Sequence, residues 1–171
     1  MYDLFKYPMP YPGWWLDYYW LVTWTLAMLY FATVWAVFFR YGKFNYGVDF
    51  GCLWKTTLMV LLTVVAIGVP SKYNTEFDAR HGKDGDSVRL ADDRIEYRFR
   101  NGAGKQFLYK DIISIYQEPV TYNPPPKIYI VARNAGLRDS LFITEGEYGL
   151  PGSDKFLTEL SSRTGQMVKR P

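Results

Sequence analysis

The chain has 171 residues and a net charge of +3, with 49% hydrophobic, 19% aromatic and 22% charged residues. A single cysteine, Cys52, rules out an intrachain disulfide or Cys-rich metal site, and a single histidine, His81, rules out a His-paired one. The charge is too small and too evenly mixed in sign for a dedicated nucleic-acid binder.

A mean hydropathy of −0.17 hides two unlike parts. All six Trp (Trp14, Trp15, Trp20, Trp24, Trp35, Trp54) lie in the first 54 residues, with twenty of the 32 aromatics. Residues 1–70 carry four Lys/Arg and three acids, whereas residues 71–171 carry sixteen and fourteen. One part suits lipid and the other suits water. The division expected from charge is a transmembrane hairpin over 1–71, with helices about 14–40 and 50–70, and a β domain over 72–171.

Tyr18 to Phe39 is uncharged for 22 positions, which as helix measures roughly 33 Å against a hydrocarbon core of about 30 Å. A buried soluble helix is the alternative. A signal peptide fits poorly, because the run is too long and its leading segment is rich in Pro and aromatics. Trp14, Trp15, Tyr18 and Tyr19 crowd the start as interface anchors, with Tyr11 and Trp20 beside them. Asp17 falls in the first turn, where a carboxylate complements the helix dipole.

The second crossing is shorter. Thr56 to Val69 is uncharged, about 21 Å of helix. Extension back to Phe50 includes Lys55, an anchor whose stem lets its charge reach the interface. Pro70 and Ser71 are expected to stop this helix, and a re-entrant segment is the alternative. The short link Tyr41–Asp49 makes the helices antiparallel neighbours, and Gly47 and Gly51 have GxxxG spacing at the membrane edge. Lys6, Lys72, Arg80 and Lys83 flank the terminal side, against Arg40, Lys43 and Lys55 at the loop side. Positive-inside counting therefore leans toward cytoplasmic termini and a cytoplasmic β domain in a multi-pass inner-membrane protein.

Ser71–Ser87 is expected to be a polar connector holding an exposed His81. Its Asp84-Gly85-Asp86 resembles a calcium loop only superficially, because Ile95 occupies the twelfth position where a closing acid is needed; a solvated turn is expected. From Ser87 the period becomes two. Ile95, Tyr97 and Phe99 face one way, and Arg94, Glu96, Arg98 and Arg100 the other. Asn101-Gly102 marks a tight turn. Lys105–Lys110 and Asp111–Tyr116 are the next strands, Pro124–Pro126 a loop, and Lys127–Arg133 with Asp139–Thr144 a hairpin around Asn134-Ala135-Gly136. A helix over about 153–164 closes the chain, with Ser153 as N-cap, Phe156, Leu157 and Leu160 as an apolar stripe, and Gly165 as the stop. The fold class expected is α+β: two transmembrane helices, then a small antiparallel barrel or curved sheet capped by a C-terminal helix.

The strand order, the segment Tyr109-Lys110-Asp111-Ile112-Ile113-Ser114-Ile115 and the ending Phe156-Leu157-Thr158-Glu159-Leu160 resemble bacterial PH-like domains. Many members carry two transmembrane helices just before the domain. The resemblance covers roughly residues 72–168 and rests on hydrophobic patterns. It implies a non-enzymatic domain used in protein contacts, complex assembly or lipid contact. One membrane-bound group with such domains helps assemble photosynthetic complexes.

No phosphate loop or paired nucleophile is present; Gly102-Ala103-Gly104-Lys105 lacks P-loop spacing. A copper-bearing oxidase subunit shares the outline, but one His and no Cys in the β domain cannot supply that site. No cofactor is identifiable. The expected role is an accessory, scaffold or assembly subunit of a larger photosynthetic or respiratory membrane complex, whose partners are other integral-membrane subunits and lipid, with no nucleic acid. Trp20, Trp24, Tyr30, Phe31, Trp35 and Phe38 are the candidates for packing on helices, pigments or quinones; lipid-facing aromatics are the alternative. The second hypothesis is a tethered module that binds anionic lipid or a small ligand through Arg94, Arg98, Arg100 and Lys105. An alternating-sign solvent face competes with it, because Asp92, Asp93 and Glu96 interleave with these cations.

Overall fold

The computed structural model describes residues 3–41, 50–119, 125–134 and 136–171. The link over 42–49 with its Gly47, the loop's Pro124, and Ala135 lie outside the described residues. The elements are β1 (Asp3–Lys6), α1 (Gly13–Tyr41), α2 (Phe50–His81), β2 (Ser87–Leu90), β3 (Arg94–Arg98) and β4 (Gly104–Leu108). A 3-10 turn (Tyr109–Asp111) leads to β5 (Ile112–Gln117), β6 (Lys127–Asn134), β7 (Leu137–Thr144), α3 (Ser153–Thr164) and β8 (Val168–Lys169). The chain is thus α+β, with two long apolar helices and two sheets that are almost wholly antiparallel.

The chain divides into Met1–Pro12 with Ala79–Pro171, and Gly13–Asp78. This corrects the division at residue 71 in two ways. First, Asp3–Lys6 pairs with β2, Phe5 opposite Val88 and Leu4 opposite Arg89, so the β unit begins ahead of the helices. Second, α2 runs through Pro70 to His81 rather than stopping there. Proline in a helix forfeits one backbone bond. Here Pro70 is buried, and Lys72 pairs with Glu76 at 3.8 Å one turn apart. Ion pairs at that spacing support the turns after the proline.

In the β unit, one sheet has the order β1-β2-β3-β4 and the other β7-β6-β5-β8. Alternation puts Phe5, Val88, Leu90, Ile95, Tyr97 and Phe107 of the first sheet into one core with Ile115, Ile128, Ile130 and Ile143 of the second. α3 covers it with Phe156, Leu157 and Leu160, all buried as the stripe required. The α3 N-cap is Gly152, with φ 73° and no side-chain bond, so Ser153 is the first helical residue rather than the cap. Gly165 ends α3 as expected, in the left-handed region at φ 68° with its N–H on Ser161 O. Arg163 and the Tyr109 hydroxyl both donate to Ala91 O, at 2.6 and 2.7 Å, and tie α3 and the 3-10 turn to the β2–β3 connection.

Candidate functional site

In the helical unit, α1 and α2 meet through side chains. Tyr19 lies 4.5 Å from Phe77 between ring centroids, and the Thr23 hydroxyl donates to Asn74 Oδ1 at 2.8 Å. Leu26, Ala27 and Tyr30 share a groove of about 350 Å³ with Val65, Val69 and Tyr73. Trp35, Phe38 and Phe39 share another, of about 400 Å³, with Thr56, Met59, Val60 and Thr63. This antiparallel register sets Tyr18–Trp24 level with Tyr73–Asp78, the charged end of α2, and Leu26–Phe39 level with its uncharged stretch.

The six aromatic candidates therefore fall into two groups. Trp20 and Trp24 are exposed and stand with Trp14, Trp15, Tyr18 and Tyr19 beside the charged turns. Tyr30, Phe31, Trp35 and Phe38 lie along the uncharged stretch, where Phe31, Trp35 and Phe39 form a row with centroids 5.5 and 5.2 Å apart. Trp35 Nε1 is buried and has no acceptor among the described residues. Lys55 is exposed near the far end of α2.

The β unit holds a buried polar cluster that sequence reasoning missed. Asp86, expected in a solvated turn, is 4% exposed. Its Oδ2 accepts from the Tyr97 hydroxyl at 2.6 Å and its Oδ1 from the Arg100 N–H at 2.8 Å. Asp84 is 1% exposed. Its Oδ2 lies 2.8 Å from His81 Nδ1, and its carbonyl accepts from Arg100 Nη1 at 2.9 Å. His81 is accordingly half-buried, with Tyr11 and Tyr148 edge-on at 4.9 and 5.4 Å. Tyr7 is 1% exposed; its N–H donates to Asp86 O, and its hydroxyl accepts from the Thr144 N–H at 2.9 Å. Lys83 Nζ lies 3.9 Å from the Phe142 centroid and 5.0 Å from that of Tyr97.

Burial pushes the Tyr97 hydroxyl far above the usual phenol range, and its bond to Asp86 pushes it further. Burial raises Tyr7 as well, against the Thr144 hydrogen bonds. It also raises Asp84, although His81 pulls the other way. These groups spend their hydrogen bonds on one another, so the cluster acts as a clasp that holds β1, the last turn of α2 and the β3–β4 turn together. The only sequence hint was two acids flanking a glycine, Gly85, whose φ is +82°.

The four basic candidates do not converge. Arg94 is bonded to Asp93 at 2.9 Å and to Gln106 at 3.2 Å. Arg98 is exposed on the outer face of β3. β3 ends at Arg98, and the following turn swings Arg100 inward to Asp84. Lys105 bonds Asp139 at 2.8 Å and Ser140 O at 3.3 Å, which links β4 to β7; that bond holds the Asp139 carboxyl below its usual range. No group of three His, Cys, Asp or Glu side chains gathers as a metal site among the described residues. No family model, no curated protein and no solved structure matches the chain.

Proposed function

We infer that the protein is a non-enzymatic accessory, scaffold or assembly subunit of a larger integral-membrane complex, anchored by α1 and α2 and presenting a PH-like β module. The observation that carries this reading is the exposure of α1. From Tyr18 to Phe39 it has no charge, and not one of these residues is buried by the rest of the chain. A core helix of a soluble protein is covered by its own fold; this one needs lipid or partner helices.

Strand pairing supports a two-span anchor over a re-entrant α2. β1 and β2 are neighbours in one sheet, so the two ends of the helical hairpin must emerge on one side of a membrane. That requires both helices to cross or neither. The uncharged run between Lys55 and Lys72 is about 24 Å long, and both lysines can extend their charges outward to match a core of about 30 Å. On this reading Trp14, Trp15, Tyr18, Tyr19, Trp20 and Trp24 lie at headgroup depth, where amphipathic rings belong; their level beside the charged turns of α2 supports it. Tyr30, Phe31, Trp35 and Phe38 are left as the partner-facing set.

The pairing also pools Lys6, Lys72, Arg80 and Lys83 on the β-unit side, which favours a cytoplasmic β module in an inner membrane. Two almost wholly antiparallel sheets closed by α3 support the PH-like reading, and the resemblance alone extends it to photosynthetic or respiratory assemblies.

The test is native electrophoresis of mild-detergent extracts with mass spectrometry of the co-migrating band. Co-migration with other membrane proteins, weakened by Trp35→Leu with Phe38→Leu, is the expected result. Migration as a lone 20.0 kDa species overturns the reading.

A further inference from the structure

We propose that the β5 edge away from β6 docks an extended basic segment of a partner protein, and that residues 165–171 hold this place as an internal stand-in. The segment recognised carries an apolar residue followed two positions later by an arginine or lysine. The inference adds a partner chemistry to the assembly reading above and rests on that reading for the partner's location. β5 pairs with β6 along one edge. Among the described residues its other edge pairs only with β8, in parallel, at Ile115 with Val168 and at Tyr116 with Lys169. That is a short cover for a strand spanning Ile112–Gln117. A strand recruited to a sheet edge binds through main-chain hydrogen bonds, and the places for its alternate side chains give selectivity.

Two side chains of the stand-in show what the edge selects. Val168 packs against the β-unit core, opposite the fully buried Ile115. Two residues on, Arg170 Nη2 lies 3.2 Å from Glu145 Oε1. The Glu145 side chain is 13% exposed. An occupant without a cation there leaves a largely buried carboxylate unpaired, a cost that rejects it. Alternation along a strand puts positions 168 and 170 on one face and turns the exposed Lys169 to the other. The edge thus reads an apolar-x-basic pattern.

The stand-in fills this place loosely. Gly165 leaves α3 at φ 68°, Met167 is 86% exposed, and the Arg170 side chain is 56% exposed. Beside Val168 lies a depression of about 360 Å³ lined by Leu157, Thr158, Ser161 and Met167, which is room for a side chain larger than valine. Few buried contacts make such a segment cheap to open. A partner strand that pairs along more of β5, with leucine or phenylalanine in the place of Val168, outcompetes it. Charge complementarity names the source. Segments next to the cytoplasmic ends of membrane helices are rich in Lys and Arg, and on the assembly reading the β unit lies on that side among other integral-membrane subunits.

A fluorescein-labelled peptide with the sequence of residues 165–171, carrying leucine in place of the valine, is titrated into the full chain in mild detergent and followed by fluorescence anisotropy. A closed stand-in leaves at most about a tenth of the molecules open. Val168→Asp expels it, so this variant should bind the peptide at least about tenfold more tightly than wild type. In that background Glu145→Gln should weaken binding about fivefold, the upper range for an ion pair with an exposed partner. That loss should vanish for a peptide with glutamine in place of the arginine. Arg170→Gln, confined to an exposed side chain, should also tighten binding and carries the test if Val168→Asp unfolds. No binding to any form, equal affinity of wild type and both opened variants, or indifference to Glu145→Gln overturns the proposal. A wild-type dimer in light scattering that Val168→Asp turns into a monomer assigns the edge to a second copy and overturns it too. Peptide binding by a chain that migrates alone in native gels strikes instead at the assembly reading.

Discussion

Replacing Tyr7 tests whether β1 belongs to the β unit. The side chain is 1% exposed within the core, and its hydroxyl accepts from the N–H of Thr144, itself 4% exposed. Truncation of a fully buried aromatic to alanine costs about 3–5 kcal/mol. The orphaned Thr144 N–H adds about 1–3 kcal/mol. Tyr7→Ala should therefore remove most or all of a stability that for such domains is about 5–15 kcal/mol. Tyr7→Phe keeps the ring and isolates the second cost, so it should lose only about 1–3 kcal/mol. All six Trp lie in the helical unit and cannot report on the β unit. Pulse proteolysis across a denaturant series in mild detergent is the suitable assay, read on fragments from residues 87–171. A Tyr7→Ala midpoint equal to wild type refutes the pairing of β1 with β2 and the same-side argument built on it.

The tyrosines of the clasp set an alkaline limit. Tyr7 and Tyr97 have folded pKa values above the ordinary 10.0, so their contribution is fully present below pH 10 and is lost as the pH rises beyond it. Stability should fall by about 1.4 kcal/mol per pH unit for each above that point, and Tyr97→Phe should remove one share of the slope in pH-dependent proteolysis. His81→Ala strips the Asp84 carboxylate of its 2.8 Å partner while leaving it buried; a loss of about 1–3 kcal/mol is expected by the same assay. Gly149→Ala should be worse than Gly102→Ala. A Cβ at 149 would lie 2.5 Å from Thr144 O and 2.6 Å from the Glu145 carbonyl carbon, whereas at 102 it meets open space and only the positive φ of +86° opposes it. The second change should cost about 1–2 kcal/mol and the first visibly more.

Local pattern revealed the elements that local chemistry decides. Alternation through Ile95 and Tyr97 set β3, the stripe Phe156–Leu160 set α3, and an uncharged run of aromatics set α1. Tertiary context decided the rest. Four residues of β1 are too few to show a period, and they become a strand only because β2 offers an edge far along the chain. Pro70 carries the usual stop signal, yet its ring is buried and the turns after it are supported. Asp84 and Asp86 look solvated until Tyr97, Arg100 and His81 arrive as partners. The level of Trp20 and Trp24 beside the charged turns of α2 depended on how α1 and α2 align, which hydropathy along the sequence does not encode. Arg100 left the basic row because a turn, not a strand, follows Arg98.

The pairing of β1 with β2 also imposes an order on synthesis. Asp3–Lys6 leaves the ribosome before either helix, and its partner Ser87–Leu90 only after both. The first strand waits, unpaired, until the whole hairpin has been made. If the helices span a membrane as proposed, closure of the β unit reports that the hairpin has returned to the side from which it set out. On the two-span reading, a chain in which only one helix crossed would leave β1 and β2 on opposite sides with the β2 edge unpaired, so closure of the sheet checks that both helices crossed.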